Sequence, residues 1–355
     1  MDNILKLLKA TIDINIVEAM QHIDANGKGI LFIVDSGNKL IGCLSDGDIR
    51  RWIIKTGDLN QSIGSIMNVS PKYVENNGRS FALKLLDKYK INAIPVVDKE
   101  HKLVDVIFKH EYEGMGKREA GNALSKVPVI IMAGGKGTRL YPYTKILPKP
   151  LIPISGIPIV ERIMERFIEY GAEHFYMTVN YKKSMIKSYF AETDHHYNIS
   201  FVDEDVPLGT AGSIRLIEKQ FQEPVIITNC DILIQSSYDD IYNYHRKSCN
   251  DITVVAALKN IEIPYGILHS KEDGIVISME EKPNLSYFIN TGVYIVNGEL
   301  LEKIPENTVY HMTDLVNAVM QEGLKVGLYP VSEDSFLDMG EFEEMHRMEE
   351  KLQIK

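Results

Sequence analysis

Residues 127–151 constrain the fold more than any other stretch of the chain. Val127–Met132 is an apolar run of the kind shown by a parallel strand buried on both faces, and Ala133-Gly134-Gly135-Lys136-Gly137-Thr138-Arg139 follows it directly. A strand ending in small residues exposes backbone N–H groups to an anion, and glycine is required wherever a side chain would block the approach. Taken alone, Gly-Gly-x-Gly is explained equally well by a tight turn between strand and helix. The extension through Arg139 to Pro148-Lys149-Pro150 adds two cations at loop positions. That pattern points to a nucleoside triphosphate cradled by main chain and clamped by Arg139 and Lys149.

With 355 residues the chain predicts two or three domains. A formal net charge of −10 argues against nucleic acid or an anionic membrane as the main partner, so basic clusters are read as features of small sites. The three cysteines, Cys43, Cys230 and Cys249, have no paired spacing and read as reduced thiols. No apolar run reaches the roughly 20 residues that span a bilayer, and the first residues lack the pattern of a signal peptide. The expected location is the cytoplasm.

Self-similarity marks the first domain. A constant offset of 63 residues relates Asp35 to Asp98, Leu40 to Leu103, Ala19 to Ala82 and Asp24 to Asp87. Each copy reads as helix, strand, tight turn, strand and a further helix start. The tandem resembles a pair of cystathionine β-synthase-type (CBS) motifs over residues 1–118, with copies at about 1–58 and 62–118. In copy one, Gly42-Cys-Leu-Ser-Asp-Gly-Asp48 is similar to that family's Gly-x-x-Ser/Thr-x-x-Asp signature. The resemblance implies that Ser45 and Asp48 bind the ribose of a regulatory adenine nucleotide, with Arg50 and Arg51 near its phosphates. Copy two carries Phe108 in place of the hydroxyl, which counts against a second site. The competing readings are a dimerisation surface that makes the chain a homo-oligomer, and Asp48 as part of a helix N-cap. Residues 113–126 are polar and glycine-containing and read as a linker, leaving 119–126 between the domains 1–118 and 127–355.

From Val127 onward strands and helices alternate. Ile157–Tyr170 has helical periodicity, with Pro158 near its start and Gly171 after its end. Phe175–Val179, Ile199–Val202, Val225–Thr228, Ile252–Leu258 and Gly292–Val296 are strand candidates, which predicts an α/β, mostly parallel sheet with ligands at its carboxyl ends. Asp231, just beyond one of these strands, and Asp338, between Leu337 and Met339-Gly340, are the carboxylates placed to hold a metal beside phosphates. Either alone reads as well as a turn residue or an N-cap. The amphipathic stretch Glu341–Lys355 is expected to pack on its own domain through Phe342, Met345, Met348 and Leu352.

Six ordered motifs resemble the sugar-phosphate nucleotidyltransferase family over about residues 127–352. They are Gly134-Gly-x-Gly-Thr-Arg-Leu140 with Pro148-Lys-Pro150, Pro207-Leu-Gly-Thr-Ala-Gly212, Asn229-Cys-Asp231, Glu280-Glu-Lys-Pro283, Ile289-Asn-Thr-Gly292, and Phe336-Leu-Asp-Met-Gly340, the last with Phe where the family has Trp. The resemblance implies a Rossmann-like, GT-A-like mixed sheet following the smaller CBS pair. It implies attack by a sugar 1-phosphate on the α-phosphorus of a nucleoside triphosphate, with Mg²⁺ held by Asp231 and Asp338. Arg139, Lys149, Asp231 and Lys282 would be catalytic. Ala133, Gly134, Gly135, Gly137, Thr138, Asn180, Gly209 and Thr210 would contact the nucleotide. Glu281, Lys282, Asn290, Thr291 and Gly292 would contact the sugar phosphate.

Val179-Asn180-Tyr181 is similar to an element of the guanylyltransferase branch, and Asn180 offers a donor and an acceptor to a base edge; a turn residue at a strand end is the competing reading. The CBS-first architecture resembles guanylyltransferases acting on an amino sugar such as glucosamine 1-phosphate. GTP with an amino-sugar, hexose or heptose 1-phosphate is therefore the expected pair, with uridylyl or thymidylyl transfer as alternatives. A nucleotide sensor with a degenerate transferase domain is a further class, opposed by the presence of Arg139, Lys149 and Asp231.

Overall fold

The computed structural model describes residues 2–75, 82–109, 122–193 and 197–353. The end of the second CBS-like copy beyond residue 109, and linker positions 119–121, lie outside the described residues. The chain forms two compact units, one of Met1–Arg118 with Asn260–Ser286, the other of Glu119–Lys259 with Tyr287–Lys355.

In the first unit the 63-residue repeat becomes two three-stranded sheets. One joins Lys9–Ala10, Ile30–Val34 and Leu40–Ser45; the other joins Val74–Glu75, Ala93–Val97 and Leu103–Phe108. In each, the central strand is parallel to the first and antiparallel to the third. Equivalent positions of the two copies bond to each other: Leu40 N–H donates to the His101 carbonyl and Leu103 N–H to the Asn38 carbonyl, both at 3.0 Å. The same unit contains a two-stranded hairpin, Ile267–Ser270 with Val276–Glu280.

The second unit is built on a seven-stranded sheet, labelled in chain order β1 (Val129–Ala133), β2 (His174–Val179), β3 (Asn198–Asp203), β4 (Val225–Asn229), β5 (Ile252–Glu262), β6 (Asn284–Val296) and β7 (Val326–Ser332). Its spatial order is β3-β2-β1-β4-β6-β5-β7. Strands β3, β2, β1 and β4 run parallel, β6 is antiparallel to β4, and β5 is parallel to β7. Along β1 successive side chains enter opposite cores: Val129, Ile131 and Ala133 join one cluster, Ile130 and Met132 the other. Burial on both faces is why β1 is a continuous apolar run and not an alternating one.

The helix expected over 157–170 spans Ile159–Ile168 and buries Ile159, Val160, Ile163, Met164 and Phe167. The C-terminal helix runs Phe342–Gln353, with Met345 and Met348 buried in the larger core. Among the described residues no helix is long and apolar enough to cross a membrane.

Candidate active site

The carboxyl ends of β1, β2 and β4 open into a cleft of about 400 Å³. Parallel strands leave their last residues, and the loops that follow, on one edge of the sheet. Gly134, Gly135, Gly137, Thr138 and Arg139 line the cleft from the loop after β1, Gly209 and Thr210 from the loop after β3, and Asn229 and Asp231 from the end of β4. Ala133 is the buried last residue of β1.

Lys149 and Asp231 both line this cleft and meet there as a buried ion pair, each only 9% exposed. Removing either partner would strand a charge away from water. Asp338 lies beside them: it faces Ile232 across a short antiparallel pairing, and the Met339 N–H donates to the Asp231 carbonyl at 3.0 Å. Burial, and then the charge of Asp231, push the Asp338 carboxyl up to about 6. Its Oδ1 is buried without a hydrogen-bond partner. An orphaned carboxylate oxygen next to a second carboxylate suits a hard divalent cation. Among the described residues no group of three or more His, Cys, Asp or Glu side chains could hold a metal, so phosphate oxygens and water would have to supply the remaining ligands. Arg139 is largely exposed and reaches Glu341 at 3.8 Å. Cys230, between Asn229 and Asp231, has its thiol pushed up to about 12 by burial and the adjacent carboxylate, so it is no nucleophile here.

The most informative residue that sequence reasoning missed is Glu204, 4% exposed and lining the cleft just after β3. A Cβ on Gly134 would sit 2.6 Å from its Oε1, which explains why the first glycine of the loop carries no side chain. The Leu208 N–H donates to its carboxylate at 3.3 Å. The buried hydroxyls of Thr178 and Ser213 favour its charged form without making a well-formed hydrogen bond. Burial outweighs these contacts and raises the carboxyl above the usual glutamate range.

Asn180, the residue expected at a base edge, donates its side-chain amide to the Glu204 carbonyl at 2.9 Å. Asn290, Thr291 and Gly292 lie on β6. Asn290 donates to the Tyr294 hydroxyl at 2.6 Å, the buried Thr291 hydroxyl donates to the Val255 carbonyl at 2.8 Å, and Gly292 packs against the Asn229 side chain. Glu281 and Lys282 are exposed residues of Asn260–Ser286, the segment that groups with the N-terminal residues. Ser45 and Asp48 form a reciprocal capping box on the helix Asp46–Thr56. Arg51 pairs with Asp48 and Arg50 with Asp46.

A model of the nucleotidyl transferase family matches residues 128–354, and a CBS domain model matches residues 5–55. The bifunctional protein GlmU of Methanococcus maripaludis is 31% identical over 205 residues, covering 55% of this chain and 47% of that protein. Mannose-1-phosphate guanyltransferase beta-A of Xenopus laevis is 29% identical over 221 residues, covering 60% of this chain and 61% of that protein. The chain thus spans about half the length of the curated relatives it matches. The crystal structure of HddC from Yersinia pseudotuberculosis aligns with a TM-score of 0.49 at 26% identity, over 64% of this chain and 99% of that one.

Proposed function

The chain belongs to the nucleotidyl transferase family, and from that premise we propose that it joins GTP to a sugar 1-phosphate, forming a nucleotide-sugar and releasing pyrophosphate. The observation that carries the reading is the buried Lys149–Asp231 pair lining the glycine-rich cleft, with the orphaned Asp338 carboxylate beside it. A phosphate oxygen of the sugar 1-phosphate attacks the α-phosphorus as the bond to the oxygen bridging to the β-phosphorus breaks, and pyrophosphate departs. The attacking oxygen is already ionised, so no side chain has to remove a proton. The protein's work is to hold two anions against their repulsion and to meet charge as it builds. Lys149 and Arg139 face the triphosphate, with the main chain of Gly134–Thr138 beneath it. Asp231 and Asp338 would hold Mg²⁺, which when bound neutralises phosphate charge. Asn290, Thr291 and Gly292 are the residues assigned to the sugar phosphate; Glu281 and Lys282 are assigned to it by the sequence motif alone.

Glu204 supports guanine as the base. Guanine presents two adjacent N–H donors, N1–H and the 2-amino group, which one carboxylate can accept together. Uracil and thymine offer a single N–H flanked by carbonyl oxygens, and adenine offers an acceptor at N1. A carboxylate facing either would meet a repelling lone pair. The resemblance to a guanyltransferase points the same way.

Pyrophosphate release measured for GTP, UTP, dTTP and ATP against glucosamine, mannose, glucose and heptose 1-phosphates tests the assignment directly. Turnover should be greatest with GTP. Lys149→Ala should lower kcat roughly a hundredfold. A wild-type protein inactive with every pair, or a Lys149→Ala protein as fast as wild type, would overturn the reading.

A further inference from the structure

The segment from Gly137 to Lys149 carries both cations assigned to the triphosphate, yet much of it lies in solvent: Tyr143 is 56% and Ile146 76% exposed. Between them sits Thr144, fully buried. Its hydroxyl donates to the Gly137 carbonyl at 2.8 Å, closing the segment on itself. Its own carbonyl accepts from the Tyr181 hydroxyl at 2.9 Å. Tyr181 follows the end of β2 by two residues, so the tether begins on the sheet. Leu140 and Leu147 of the segment also pack into the larger core, while on the solvent side Tyr143 lies against the Phe342 ring at 5.5 Å and the exposed Arg139–Glu341 pair contributes little.

The tether ends on the catalytic lysine. Gly137 holds φ +62°, and a Cβ there would lie 3.0 Å from Thr144 Cγ2 and 3.2 Å from Lys149 Cβ. Gly137, Thr144 and the stem of Lys149 therefore meet at one place, below the ammonium that pairs with Asp231. Threonine is also an unusual choice for a fully buried loop position, because valine has the same shape and no polar group to satisfy.

We infer that Thr144, held by Tyr181, is a positioning residue that sets the phosphate loop and Lys149 for transfer. This rests on the proposed nucleotidyl transfer for its kinetic consequence, and on geometry alone for the tether. The ordering is needed at the moment of reaction, since a displacement of about 1 Å at a reacting group costs on the order of a hundredfold in rate. Binding of the nucleotide, spread over many main-chain contacts, should depend on it far less.

The test compares Thr144→Val, Thr144→Ser and Tyr181→Phe with wild type by kcat and KM for GTP, by melting temperature, and by hydrogen exchange of the 137–149 amides in the full chain. Thr144→Val should lose about tenfold or more in kcat with KM for GTP within roughly threefold, and exchange in the segment should quicken. Thr144→Ser should restore both, and Tyr181→Phe should fall between. A merely structural threonine would lower the melting temperature and leave the kcat-to-KM split unchanged, which would overturn the inference. So would unchanged exchange in Thr144→Val. Absence of turnover in wild type with every substrate pair would sink the proposed function instead, and the exchange measurement would still decide the tether.

Discussion

Glu204 is one of three consecutive acids, and its neighbours are solvated: the Asp205 side chain is 98% exposed, and Asp203 pairs with Lys183 and Lys187 on the surface. Its burial makes it a stability cost as well as a candidate base reader. A glutamate whose folded pKa is raised binds more protons folded than unfolded between the unfolded value, about 4.3, and the folded one. Stability therefore falls as pH rises through that window, and the full cost persists above it. Glu204→Gln cannot ionise and should melt above wild type at neutral pH, with the gap closing as pH falls through the glutamate range. The same variant should lose about 1–3 kcal/mol of preference for GTP over UTP, read as the ratio of kcat/KM values. Identical pH–melting curves for the two proteins would refute the buried-carboxylate account. Nothing in Asp203-Glu204-Asp205 distinguishes the middle residue as a sequence, because only the turn after β3 decides which acid faces inward. Asp231 was legible for the opposite reason: it follows an unmistakable buried strand.

At the scale of single elements, the helix Asp46–Thr56 gives the clearest test of the N-terminal signature. Ser45 accepts from the Asp48 N–H at 3.2 Å while the Asp48 carboxylate accepts from the Ser45 N–H at 2.9 Å, so the groups expected at a ribose are occupied in starting a helix. Ser45→Ala should destabilise this unit by about 1 kcal/mol, seen as an earlier thermal transition with turnover unchanged. A variant that melts like wild type but loses saturable AMP or ATP binding would favour the nucleotide reading over the cap. Strands buried on both faces were legible from their apolar runs, and β6 was underestimated because Ser286, Asn290 and Gly292 interrupt its pattern. The hairpin Ile267–Ser270 with Val276–Glu280 was not legible at all. Its side chains Leu268, Ile277 and Met279 are 61%, 62% and 70% exposed, and an apolar pattern signals a strand only through the burial it normally predicts.

For the whole molecule, the repeat and the ordered motifs made two bodies visible in the sequence, whereas the grouping of Asn260–Ser286 with residues 1–118 was hidden. Chain order cannot reveal it, because the segment leaves β5 and returns at β6 without any linker-like composition. Among the described residues, the hydrophobic clusters drawn from residues 5–108 contain no residue from 124–352, and those drawn from 124–352 contain none from 5–108. Separate cores melt as separate cooperative units unless something couples them. Calorimetry of the full chain should therefore resolve two transitions. A ligand that binds one folded unit raises only that unit's transition, and at a hundredfold excess over Kd it adds about 2.7 kcal/mol. For a body of this size that corresponds to a shift of roughly 5–10 °C. GTP with Mg²⁺ should move one transition by that amount and leave in place the other, the one that Ser45→Ala lowers. A single transition, or GTP moving both equally, would show that the two cores unfold as one and would contradict the division.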